Sequence, residues 1–209
     1  MDRSTLALSI CCLAAASMVG CGGSSKPHAG AMPDMKEMEK AMMEAGTPGP
    51  MQKWLTDGAG TWQGKCKMWM DPSAPPEESA CTTTITPAMD GRFVHNQTRG
   101  SMTGMDGKPM NFEGFGVIGY NNTSGKFETN WSDSMGTMQL NYVGTLSSDK
   151  TTLTSTTHFY CPVQKKNTWM RNVEKHTGPN SMTLTMYSPR MMDGKEAKIM
   201  EIEYTRSSR

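Results

Sequence analysis

Between Gly60 and Arg206 the chain alternates apolar and polar residues in short Thr-rich and aromatic runs, each broken by Gly, Asn, Asp or Pro. A period of two is the signature of strands that bury one face, and the breakers mark turns. The pattern predicts ten strands, at about 60–70, 78–87, 91–99, 109–120, 125–133, 136–146, 150–161, 167–177, 180–188 and 195–206. Hairpin turns are expected at Asn121 to Gly125, Ser147 to Asp149 and Asp193-Gly194. No helical period intervenes, so consecutive strands should pair as an antiparallel meander. A sheet of that size curls, and closing it removes the exposed edges. The expected fold is all-β, a ten-stranded antiparallel up-and-down barrel.

The alternation also sorts faces. In the first strand Trp62, Gly64, Cys66, Met68 and Met70 share one side, opposite Lys65, Lys67 and Trp69. In the fourth, Phe112, Gly114, Gly116, Ile118 and Tyr120 share one; in the fifth, Phe127, Thr129, Trp131 and Asp133. Polar groups mixed into these aromatic faces suggest a lined cavity, with Trp62, Tyr120, Trp131 and Asp133 as candidate lining residues. Met138, Met182 and Met186 are expected in the core.

Ahead of the strands the texture differs. Asp34-Met35-Lys36-Glu37 has the form of a capping box and opens a short helix ended by Gly46. Met32, Met35, Met38 and Met42 recur at helical intervals within this amphipathic segment, 32–46. Thioethers so spaced could ligate Cu(I) or Ag(I); the plainer expectation is that this apolar face docks on the barrel.

Residues 1–20 read as a lipoprotein signal peptide: Arg3, an apolar run from Leu6 to Val19 too short to span a bilayer, then Met18-Val19-Gly20-Cys21. Cleavage before Cys21 would leave a cysteine carrying acyl chains, and residues 21–31, rich in Gly, Ser, Pro and Ala, would form a flexible tether. The expected location is the bacterial cell envelope, lipid-anchored on a membrane face towards the periplasm, with the barrel domain at 47–209.

The chain of 209 residues has a net charge of +1, so no bulk field recruits nucleic acid. Of its six cysteines, Cys66, Cys81 and Cys161 would remain free of signal and lipid. Cys66 and Cys81 fall on neighbouring strands across the turn Pro72 to Pro76. A disulfide there would close a short loop worth about 3 kcal/mol, and three reduced buried thiols are the equal alternative.

Gly60-Thr61-Trp62 is similar to the Gly-x-Trp opening of lipocalin-like (calycin) barrels. The resemblance implies a basic residue on the last strand packing over the tryptophan, and Arg206 in Tyr204-Thr205-Arg206 fits that role. A wider set covers roughly Thr47 to Arg206: Met68-Trp69-Met70, Pro75-Pro76-x-Glu78-Ser79, Asp90-Gly91-Arg92-Phe93, Met102-Thr103-Gly104-Met105, Phe112-Glu113-Gly114, Gly119-Tyr120-Asn121-Asn122 and Trp131-x-Asp133-Ser134-Met135-Gly136-Thr137. In this the chain resembles the bacterial family called domain of unknown function 1579, which implies a fold but no activity. Family members often carry paired histidines before the Gly-x-Trp strand where this chain reads Thr47 to Gln52, so a histidine metal site is not expected.

Gly114 to Gly119 spells G-x-G-x-x-G, but a dinucleotide site needs that motif between a strand and a helix, and here it lies within a strand. No G-x-S-x-G, H-E-x-x-H or mature C-x-x-C occurs. His28, His95, His158 and His176 are scattered, and Asp133, expected to pair with Arg92 or Arg171, is the best lone carboxylate. No enzyme and no cofactor are expected. The sequence points to a lipid-anchored barrel binding a small, largely apolar ligand; soft-metal binding by the N-terminal methionines and a purely structural role are the alternatives.

Overall fold

The computed structural model of the chain describes residues 34–71, 73–104 and 107–208. The signal peptide, Cys21, the tether, His28 and Met32 lie outside the described residues. Contacts divide the chain into Met1–Met35 and Lys36–Arg209, and almost all of the described structure belongs to the second unit.

Two helices, α1 (Met35–Gly46) and α2 (Pro50–Asp57), precede ten strands. These are β1 (Gly60–Met68), β2 (Glu77–Ala88), β3 (Phe93–Thr103), β4 (Pro109–Asn121), β5 (Lys126–Asp133), β6 (Leu140–Leu146), β7 (Thr152–Cys161), β8 (Lys166–Gly178), β9 (Ser181–Pro189) and β10 (Glu196–Ser208). Each strand pairs antiparallel with the next, and β1 pairs with β10, so the sheet is a closed up-and-down barrel. No helix among the described residues is long and apolar enough to cross a membrane.

Turn chemistry sets the register at one end. Asn121 Oδ1 accepts the backbone N–H groups of Thr123 and Ser124 at 2.9 and 3.2 Å, and Gly125 takes the left-handed backbone, φ 66°, that closes the β4–β5 hairpin. Asp149 does the same for β6–β7, where its carboxylate accepts hydrogen bonds from Ser147 and Thr151 and is held below the usual range by them.

Three local expectations are corrected. The sixth strand begins at Leu140 rather than 136, because Asp133 Oδ1 captures the Met135 N–H at 2.9 Å and turns the chain at the end of β5. Met138 falls in that turn, 43 % exposed, whereas Met182 is buried and Met186 partly so. Met70 lies beyond the end of β1 and is exposed, so the inward run stops at Met68.

The core has two parts. Trp62, Cys81, Met182, Ile202 and Tyr204 form one cluster around the β1–β10 seam. Leu55 of α2 with Val94, Phe127 and Leu153 forms the other, at the barrel end where α2 lies. α1 has no buried residue, so its methionine face is solvent-exposed and does not dock on the barrel.

Candidate functional site

The helix α2 makes the site by closing one end of the barrel. Gly49-Pro50 starts it with the fixed φ of proline at the first turn, and Gln52 Oε1 accepts the Gly49 N–H at 2.8 Å. Buried Gln52 also donates through Nε2 to Tyr120 O at 3.0 Å and Asn122 Oδ1 at 2.9 Å. Trp54 donates its indole N–H to Lys150 O at 3.0 Å and sets its ring edge-on to Phe127, centroids 5.4 Å apart. Two hairpins, β4–β5 and β6–β7, are thereby tied to one helix.

Between α2 and the middle of the barrel lies a cavity of about 60 Å³. Apolar residues such as Leu55 and Leu184 share its wall with Thr83, Asn96, Glu174 and His176. Glu174 and His176 are two apart on β8 and therefore on one face; their side chains are hydrogen-bonded, Nε2 to Oε1 2.9 Å, and mostly shielded. The His176 ring also packs against Trp54, centroids 4.8 Å apart. An acid–imidazole pair turned inward, under an aromatic lid, can donate and accept hydrogen bonds from a small guest.

A polar chain continues from this cavity. Thr98 and Thr83 share a hydrogen bond of 2.8 Å; Tyr204 Oη lies 3.3 Å from Thr83 Oγ1 and 3.9 Å from Cys81 Sγ; and Cys66 Sγ lies 3.4 Å from Cys81 Sγ. Burial pushes the Tyr204 phenol well above its ordinary value. A hydrogen bond from Cys66 holds the Cys81 thiol down at about 7 and pushes Cys66 up. All three described cysteines are free thiols. Nearer the opposite end, Asn172 Oδ1 is sealed from solvent without a hydrogen-bond partner.

The residues singled out in the sequence are placed as follows. Trp62, 1 % exposed, lies beneath Arg206, whose guanidinium carbon is 4.4 Å from the ring centroid; Arg206 also donates to Ala59 O and Asp57 O. Tyr120 packs on Phe127, centroids 4.9 Å apart. Trp131 lies over Gly114 and Gly116 and donates its indole N–H to Asp133 Oδ2 at 2.9 Å. None of Trp62, Tyr120, Trp131 and Asp133 is among the residues lining the cavity under α2. Arg92 pairs with Asp90 and Arg171 with Glu196, so neither meets Asp133, and no histidine is among the hydrogen-bond partners of Asp133 within the described residues.

Glu174, Asn96 and Trp54 were not singled out by sequence, and His176 was named there only as one of four scattered histidines. The alternation Glu174-Lys175-His176 could have put the pair on one face, but which face of β8 is inward follows only from its register with β7 and β9.

No group of three or more His, Cys, Asp and Glu is placed to hold a metal ion among the described residues. A wider groove of about 640 Å³ runs beside α1, but it is open and walled by charged side chains such as Lys36, Glu39 and Lys40 of that exposed helix.

No curated protein is similar enough in sequence to serve as a relative. Among solved structures, the crystal structure of Rv2717c from M. tuberculosis is similar, with a TM-score of 0.56 at 16 % identity, covering 77 % of this chain and 99 % of that one. That likeness is one of fold. The glycines of the apparent nucleotide motif, Gly114 and Gly116, are seats for the Trp131 ring inside β4, which disposes of that reading. The family model described as protein of unknown function (DUF1579) matches residues 47–206, from the start of the α2 cap to the arginine over Trp62, and the chain belongs to that family.

Proposed function

We propose that this is a lipid-anchored envelope protein, tethered through Cys21, whose barrel binds a small molecule without transforming it. The observation that carries the reading is the cavity of about 60 Å³ beneath α2, with Glu174 and His176 facing it. Buried polar groups are costly unless they are satisfied, and a cavity mixing polar and apolar walls suits a guest that hydrogen-bonds. The volume is well under the ~150 Å³ that accommodates a benzene ring. The guest is therefore a molecule of a few heavy atoms rather than a long-chain lipid.

The test follows the Trp54 indole and His176 ring signals by NMR while small polar compounds are added. Saturable shifts should appear for at least one compound and weaken in Glu174→Gln, which keeps the shape and loses the charge. If no compound moves either signal, the barrel is a scaffold. Anchoring is tested separately. Cys21→Ala should abolish fatty-acid incorporation and release the protein from membranes, and a variant still sedimenting with membranes and still acylated would contradict the tether.

A second reading keeps soft-metal binding by the α1 methionines. Its support is that Met35 and Met42, 80 % and 69 % exposed, have no barrel surface to cover. Thioethers left in solvent on one helical face are available to Cu(I) or Ag(I).

A further inference from the structure

Every methionine that falls on a described strand occupies an inward register position. Met68 follows Trp62, Gly64 and Cys66 on the inner face of β1. It pairs with Met200 of β10, which pairs in turn with Met186 of β9, giving an unbroken row of three thioethers across adjacent strands. Met182 of β9 is buried opposite Tyr204 of β10, Met102 pairs with Met110, and Met170 accepts a hydrogen bond from buried Tyr142 at 3.4 Å.

Two thiols stand beside the row. Cys66 is the next inward residue below Met68 on β1, and its partner across the seam, Ile202, is the next inward residue after Met200. Cys81 sits on β2 one inward step along, and the two sulfurs are 3.4 Å apart. Gly64 opposite Cys81 is what admits the second sulfur, because a Cβ there would lie 2.6 Å from it. Thus the barrel brings two thiols into contact on its inner wall, and Met200, opposite Met68, stands in the next inward row, one inward step from Cys66 and two from Cys81 along β1.

We propose that Cys66, Cys81 and Met200 form a binding site for a soft monovalent metal ion, Cu(I) or Ag(I). Thiolate and thioether ligands select soft ions, and the set lacks the imidazole and carboxylate groups that harder ions prefer. At metal–sulfur bonds of ~2.3 Å, two sulfurs in a trigonal site stand about 4 Å apart, so the thiols need open by only about half an ångström. Binding is an exchange of protons for metal: each thiol gives up its proton to solvent as its sulfur lone pair takes the ion, and no electron is transferred. The site shares no residue with the cavity under α2 or with α1, so it stands or falls independently of both readings above.

The experiment titrates Cu(I) into the reduced full chain under anaerobic conditions, in competition with a chromophoric chelator. Expected are one tight equivalent per chain retained in a variant lacking the α1 methionines (Met35→Leu, Met38→Leu, Met42→Leu, Met43→Leu), a loss of at least a hundredfold in affinity for Cys66→Ser or Cys81→Ser, and about tenfold for Met200→Leu. Since the serine variants could destabilise the core, X-ray absorption at the copper edge of the wild type gives a second measure, and a shell of sulfur alone is expected. A tight equivalent that vanishes with the α1 methionines, affinity unaffected by the cysteine variants, nitrogen or oxygen in the copper shell, or a Cys66–Cys81 disulfide that mild reductant does not open would each overturn the proposal.

Discussion

At the residue scale, the seam between β1 and β10 turns on Trp62 and Arg206. The guanidinium lies over the indole face while its N–H groups reach the carbonyls of Asp57 and Ala59, so one side chain joins the last strand to the end of α2 and to the approach to β1. Arg206→Ala removes a cation–π contact and the packing of the stem, about 1 to 2 kcal/mol, and should lower Tm by several degrees. Arg206→Lys should restore part of it, because an ammonium lacks the planar stacking and the fork of donors; an Ala variant melting with the wild type would contradict this. The pairing was legible through the resemblance to lipocalin-like barrels, which implies a basic residue of the last strand over the tryptophan of Gly-x-Trp. Trp131 was not, since alternation gives a residue's face but not where its ring lies. A Cβ on Gly114 would stand 2.3 Å from that ring, so Gly114→Ala should cost about 1 to 3 kcal/mol in denaturant unfolding. Unchanged stability would mean Trp131 swings away freely.

At the scale of elements, α2 decides what the barrel encloses. Leu55 is buried among Val94, Phe127 and Leu153, and Leu55→Ala should cost about 2 to 5 kcal/mol. If α2 is only a surface appendage, the variant will unfold at the wild-type denaturant midpoint. This helix was hidden in the sequence: eight residues between Gly49-Pro50 and Gly58 look like a loop, and the run is too short for a clear period. Its signals were Pro50 at the first turn, Gln52 reaching back to Gly49, and apolar Met51, Trp54 and Leu55 at helical spacing. The reverse happened at α1, where a clear methionine face suggested a partner surface that the fold does not supply. Periodicity reports which residues share a face, not whether anything meets it.

At the scale of the whole molecule, closure was legible because ten strands in even spacing leave no other way to remove the edges. What closure encloses was not, since Glu174, His176, Asn96 and Leu55 meet across the barrel from elements whose registers no local pattern fixes. The same enclosure governs the response to alkali. Burial raises Tyr142 from 10.0 to about 12 and Tyr204 well above 10.0, so between those values the folded state keeps protons that the unfolded state has lost. Stability is therefore fully present below pH 10 and falls as pH rises towards 12. Near-ultraviolet absorbance should show these two phenols ionising only with unfolding, and Tyr142→Phe should flatten the decline; ionisation of both in the native fold near pH 10 would contradict their burial.

The central claim is that the space beneath α2 is a binding site and not merely imperfect packing, and native mass spectrometry of the full chain purified gently from its native cells tests it most directly. A bound mass beyond that of the covalent chain is predicted, and Asn96→Leu, which fills the cavity wall with apolar atoms, should lose it. A wild-type chain at its bare covalent mass, with Asn96→Leu raising Tm by simple filling, would contradict the account.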